Sequence, residues 1–212
     1  VGSSQRNDEI IIQNSDDPLL SWSITISDDG KYKIVYTSKG TDERNLISIA
    51  RYEDQTLIPI VDQFIASYSF IDSSKNYLWF LTNHMAPNGK VVLLDFDDLA
   101  SGFKEVIPEK ENAISSINMI NGRFVINYLN DTFSDVQYFD TSGSKHGSLK
   151  MPAKGTISGL SGKKEESSSY FSFTNFIQPA QIFKLDLETN SYKKFWEEEL
   201  NNFNEEEYES RM

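Results

Sequence analysis

The stretch of this chain that comes nearest to a catalytic motif is Gly159-Leu160-Ser161-Gly162-Lys163. A serine nucleophile elbow reads G-x-S-x-G, because glycines on both sides permit the sharp turn that lifts the hydroxyl clear of the backbone. Here Lys163 stands where the second glycine is required, and the surrounding pattern is strand and turn, so Ser161 reads as a turn residue. The only two histidines are His84 and His146. Neither lies in a pattern that supplies a hydrogen-bonded base and its orienting acid, and both read as surface residues. Cysteine is absent, which removes disulfides, thiolate metal sites and cysteine nucleophiles together. The H-E-x-x-H and twelve-residue calcium-loop signatures are missing. The acidic pairs Asp16-Asp17, Asp28-Asp29 and Asp97-Asp98 fall where turns are expected, and aspartate serves turns through bonds to its own backbone. They do not identify a glycosidase carboxylate pair. Ser27-Asp28-Asp29-Gly30 lacks the S-x-D-x-G-x-x-W spacing of sialidase propellers, and five scattered arginines form no carboxylate-binding cluster. The residues therefore point to no catalytic group, no metal and no cofactor in this chain.

Composition narrows the partners. The 212 residues carry a net charge of −12, a surface that stays soluble and repels the phosphates of nucleic acid. No apolar run approaches the roughly 18 residues of a membrane-spanning helix. No secretory apolar region opens the chain and residue 1 is valine, so the N-terminus reads as a cut edge.

The elements that position these residues are strands. Short alternating runs of Tyr, Phe, Ile and Val recur about every ten residues between turn signals. They fall into four quartets, near residues 19–62, 64–107, 113–151 and 156–196. Four strands in each repeat of roughly 40–48 residues is the signature of propeller blades. The fold class is all-β: a β-propeller portion of about four four-stranded antiparallel blades, with strands 20–26, 65–71, 114–120 and 156–160 innermost. Asp28-Asp29-Gly30 and Asn121-Gly122 mark hairpin turns, and Pro87-Asn88-Gly89 and Gln178-Pro179 interrupt the ladder in matching places. A β-sandwich is the alternative, but a sandwich needs no repeat at this period. A seventeenth strand is expected at residues 9–13. Residues 1–196 form the partial propeller and residues 197–212 an acidic linker or short helix. Terminal blade faces near residues 22–36 and 170–183 are expected to carry large apolar side chains that need a cover.

With the repeats placed, six stretches resemble landmarks of the prolyl oligopeptidase family, in that family's order. They are SDDGKY from Ser27, GTDERN from Gly40, FLTNHMAPNGK from Phe80, EVIPE from Glu105, GTISGLSGKKE from Gly155 and FSFTNFIQPAQIFKLDLET from Phe171. The resemblance implies a serine peptidase that cuts short peptides after proline. It implies a seven-bladed propeller joined to an α/β-hydrolase domain holding a Ser-Asp-His triad, with the propeller covering the active site and excluding folded proteins. On this reading the chain is the C-terminal part of the propeller: the last strand of one blade and four further blades. Its partners are then the remaining blades, the hydrolase domain and short proline-containing peptides, in the cytoplasm. Several relatives place an arginine after the strand equivalent to residues 31–37, where it bonds the substrate main chain. The matching position here is Ser38, followed by Lys39, with Thr41 in the same loop. Lys39 is a point charge without the planar fork of arginine, and a plain solvated hairpin is the competing reading. A protein-interaction propeller without peptidase activity is the alternative function.

Overall fold

The computed structural model describes residues 4–7, 10, 12 and 16–198. Among them sixteen strands form four antiparallel sheets, each made of four consecutive strands in sequence order. The first holds β1 (Leu20–Ile26), β2 (Tyr32–Lys39), β3 (Asn45–Arg51) and β4 (Ile58–Val61). The second holds β5 (Tyr68–Ser74), β6 (Tyr77–Thr82), β7 (Lys90–Asp95) and β8 (Lys104–Ile107). The third holds β9 (Ala113–Ile120), β10 (Arg123–Asn130), β11 (Phe133–Phe139) and β12 (Lys145–Ser148). The fourth holds β13 (Thr156–Ser161), β14 (Ser168–Thr174), β15 (Gln181–Asp186) and β16 (Ser191–Glu197). The four expected blades are thus present. The strand expected at residues 9–13 lies mostly outside the described residues, which include only 10 and 12 of it, and the segment beyond residue 198 lies wholly outside them. One inner strand starts later than its apolar pattern suggests, at Tyr68 rather than residue 65. Ile65 is instead spent in a turn, its amide bonding the Gln63 carbonyl at 2.8 Å.

The chain divides into two compact units, Val1–Tyr68 and Ser69–Met212. In the first unit the Ser27-Asp28-Asp29-Gly30 turn shows why this tetrapeptide marks a hairpin. Gly30 takes φ 70°, and its amide closes the turn on the Ser27 carbonyl at 2.8 Å. The buried Ser27 hydroxyl donates to Asp29 Oδ1 at 2.7 Å and accepts from the amides of Lys31 and Tyr32. Tyr32, Ile34, Val35, Ile47 and Ile49 are all buried, so neighbouring residues of β2 are covered on both faces, as the inner members of a blade must be.

In the second unit three sheets pack face to face. Phe124, Ile126 and Tyr128 of β10 join Trp79, Val91 and Ile107 of the second sheet in one core. Val125 points the other way, into a core with Ile157, Phe171, Phe173, Phe183 and Leu185 of the fourth sheet. Strand alternation alone produces this: one strand feeds two cores because its side chains alternate faces. The opposite face of the fourth sheet carries exposed rings among polar residues: Tyr170 meets Phe195 with centroids 5.1 Å apart, and Trp196 pairs with Ile182. Tyr170 lies opposite Lys184 and Ser172 opposite Ile182, and Lys184 Nζ sits 5.9 Å from the Tyr170 ring centre. Phe171, Phe173 and Phe183 belong to the inward face, where Phe171 and Phe183 stack at 5.2 Å.

Two repeated devices set the strand ends. An aspartate closes the turn after the third strand in three sheets: Asp95, Asp140 and Asp186 accept backbone amides two to four residues on. Near the start of the third strand, a polar residue ties down the chain entering the next sheet. Asn45 bonds both the amide and the carbonyl of Tyr68 at 2.8 Å. Ser134 does the same for β13, accepting the Ile157 amide at 2.9 Å and donating its own amide to Gly155.

Candidate functional site

The family resemblance expects a substrate-proximal loop at Ser38, Lys39 and Thr41, after the second strand of the first sheet. These residues occupy the end of β2 and the β2–β3 connection. Ser38 is half-buried within β2, paired with Ser21 on one side and Asn45 on the other, whereas Lys39 and Thr41 are exposed. Lys39 does not stand alone: its ammonium meets Asp17 Oδ2 at 2.9 Å. That contact, with the Gly40 amide bonded to the Leu19 carbonyl at 2.9 Å, ties the loop to the start of β1.

The same connection holds an arginine that the sequence analysis did not single out. Arg44 forms a forked pair with Asp42, Nε to Oδ1 at 2.9 Å and the terminal nitrogen to Oδ2 at 2.6 Å. Asp42 also accepts the Arg44 amide at 3.0 Å. An Asp two residues before an Arg is the only signal for it in sequence: a carboxylate that closes its own turn is placed to grip the guanidinium. The Arg44 side chain and amide together hold the Asp42 carboxyl down at about 2, against an ordinary 3.8. A carboxyl depressed on folding adds stability that is complete above pH 3.8 and is lost as pH falls through about 2. An Arg44→Ala chain should return Asp42 toward 3.8 in a carbon-detected NMR titration. An unchanged titration would mean that the fork does not form in solution.

The residues that resemble nucleophile and base lie on different elements. Ser161 ends β13 rather than sitting in a turn, and its carbonyl accepts the Ser169 hydroxyl at 2.7 Å. His84 lies in the β6–β7 connection, its amide bonded to Thr82 Oγ1 at 3.1 Å. His146 is on edge strand β12, with Nε2 2.9 Å from Asp140 Oδ2. Asp140 also accepts the Ser142 hydroxyl at 2.6 Å. A serine, an aspartate and a histidine thus meet, but the carboxylate stands in the middle. In a hydrolytic triad the imidazole stands between hydroxyl and carboxylate and takes the serine proton. The Ser142 hydroxyl, the His146 ring and the Ser144 amide together hold Asp140 far below the carboxylate range, which suits a turn-closing anion and not a base.

In the second unit, the corresponding end of the third and fourth sheets carries a pocket of 220 Å³. Thr132 comes from the β10–β11 turn and Phe133 from the start of β11, Lys154 and Gly155 from the bend leading into β13 and Thr156 from its start, Thr174 from the end of β14, and Asn175 and Phe176 from the β14–β15 connection. Lys154 Nζ lies 5.4 Å from the Phe133 ring centre. Asn175 holds the loop open by accepting the amides of Ile177 and Gln178 at 3.0 and 2.8 Å. Phe176, beside it, is 89% exposed.

Comparison with known proteins sets these features in a family. The profile described as "Prolyl oligopeptidase, N-terminal beta-propeller domain" matches residues 1–198. A prolyl endopeptidase of Elizabethkingia meningoseptica is 29% identical over 213 residues, covering 100% of this chain and 30% of the relative. Prolyl oligopeptidase A of Galerina marginata is 27% identical, covering 99% of this chain and 30% of the relative. A solved structure from a study of two prolyl endopeptidases superposes with a TM-score of 0.88 at 26% identity, covering 99% of this chain and 31% of the other. The chain therefore spans about a third of the length of the relatives it matches. The matched profile is the family's N-terminal domain, which corrects the description of the chain as a C-terminal part. The chain belongs to the prolyl oligopeptidase family, as a portion of its N-terminal β-propeller domain.

Proposed function

We propose that this chain is the substrate-selecting propeller portion of a serine peptidase that cleaves short peptides after proline. Residues 1–196 supply the last strand of one blade and four blades of a seven-bladed ring, and residues 197–212 lead toward an α/β-hydrolase domain that carries the catalytic triad. Within this chain no side chain performs chemistry on the peptide; the blades restrict which substrates reach the hydrolase domain. The observation that carries the reading is the match of the family's propeller along residues 1–198, joined to four four-stranded sheets in sequence order. The interaction-propeller alternative has no comparable support.

In this reading the β2–β3 connection faces the substrate. Ser38 stands where relatives carry an arginine, Lys39 is engaged with Asp17, and Arg44 supplies the loop's guanidinium. A planar fork already gripped on one edge by Asp42 keeps its other edge for a peptide carbonyl. The test is activity of the 212-residue chain on a chromogenic Gly-Pro substrate. No turnover is expected. Turnover that disappears in Ser161→Ala would show that this serine is a nucleophile and overturn the assignment.

A further inference from the structure

We propose that the pocket between the third and fourth sheets binds the C-terminal residue of a peptide, taking an aromatic side chain between Phe133 and Phe176 and its carboxylate at Lys154. That the occupant is a peptide rests on the peptidase reading above; the chemistry of the pocket does not. At 220 Å³ the space falls below the roughly 300–1,000 Å³ of a drug-sized site and suits a single side chain.

Three features give the pocket its preference. The first is apolar. A phenyl ring that is 89% exposed is unfavourable in water, yet the Asn175 turn holds Phe176 at the rim instead of letting it fold away. The second is charge. Lys154 has no carboxylate partner among the described residues, and its contact is with the face of Phe133 at 5.4 Å. In a chain of net charge −12, most surface repels a carboxylate, so an uncommitted ammonium over an aromatic wall selects for one. The third is a pair of uncommitted hydroxyls, Thr132 and Thr156, which line the same space and make no hydrogen bond among the described residues.

The floor is built to keep this shape. A Cβ at Gly155 would lie 2.5 Å from the Thr174 carbonyl oxygen and 2.6 Å from the Phe173 ring, so only glycine lets the start of β13 lie this close to the end of β14. The Ser134 amide holds the Gly155 carbonyl at 3.0 Å, and the Ser134 hydroxyl accepts the Ile157 amide at 2.9 Å. The backbone on either side of Lys154 and Thr156 is thereby fixed before a ligand arrives, which lowers the ordering cost of binding. A phosphate or other small anion would leave both rings wet, and an uncharged aromatic would leave Lys154 unused.

The test is calorimetric titration of the full-length protein with N-acetyl-L-phenylalanine and with its C-terminal amide. Neither probe holds a bond for a prolyl peptidase to cut. The acid is expected to bind roughly fivefold more tightly than the amide, the share of a solvent-exposed charge pair. Lys154→Gln should equalise the two, and Phe176→Ser should weaken both. Equal binding of acid and amide, no binding of either, or a preference that survives Lys154→Gln overturns the proposal. Gly-Pro hydrolysis on the same samples separates the two readings. Acid-selective binding without hydrolysis removes the peptidase assignment and keeps the site; hydrolysis without selectivity removes the site and keeps the peptidase.

Discussion

Gly143→Ala is expected to destabilise the second unit by about 3 kcal/mol or more. Gly143 lies in the β11–β12 turn at φ 88°, a left-handed conformation that by itself costs an alanine about 1–2 kcal/mol. The larger effect is steric. A Cβ there would lie 2.0 Å from the Val106 carbonyl oxygen and 2.9 Å from its carbonyl carbon. Both are backbone atoms of β8 in the neighbouring sheet, so no rotamer change relieves the overlap. Either the Asp140–Ser144 turn or the edge of the second sheet has to move, at the expense of the hydrogen bonds that close each. Gly122→Ala is the control. It has φ 65° and nothing within 4 Å of the added carbon, so it should show the conformational cost alone, about 1–2 kcal/mol. Urea unfolding of both variants measures the difference. Equal losses would mean that the two sheets do not approach as described.

Phe124→Ala should be comparably damaging, by about 3–5 kcal/mol. The ring is fully buried and meets Trp79 of the second sheet edge to face, with centroids 5.9 Å apart. Its removal leaves a void between two sheets whose backbones are fixed by their own ladders, and such sites collapse poorly. Leu129→Ala on the same strand, at 45% exposure, should change stability by only about 0.5 kcal/mol. A loss below about 1 kcal/mol at Phe124 would contradict packing of the second sheet on the third through this strand.

What the sequence reveals and what it hides follow from how far apart the interacting residues lie. The blades are legible because each strand is punctuated locally: Asp28-Asp29-Gly30 and Asn121-Gly122 define their turns from within four residues. The aspartates after the third strands belong to the same class, since Asp95, Asp140 and Asp186 bond amides two to four residues away. The start of β5 is misjudged because Ile65 fits the apolar pattern while the chain still needs those residues to reach the next sheet. The direction of the rings in residues 170–183 depends on which face meets a neighbour, and alternation alone does not assign that. The pocket escapes a sequence reading for the same reason. Its walls come from residues 132–133, 154–156 and 174–176, and nothing in Gly155 announces that Phe173 will press against it. Arg44 is intermediate: its partner is two residues away, but arginine in a polar loop is ordinary until the fork with Asp42 is seen.

Hydrolysis of a short chromogenic Gly-Pro peptide by the full-length gene product, set beside the 212-residue chain alone, tests the central claim most directly. The account predicts turnover by the full-length protein, its loss when the same Gly-Pro sequence is presented within a folded protein, and none by the chain alone. Turnover by the isolated chain, or a full-length protein that leaves the short peptide intact, would contradict it.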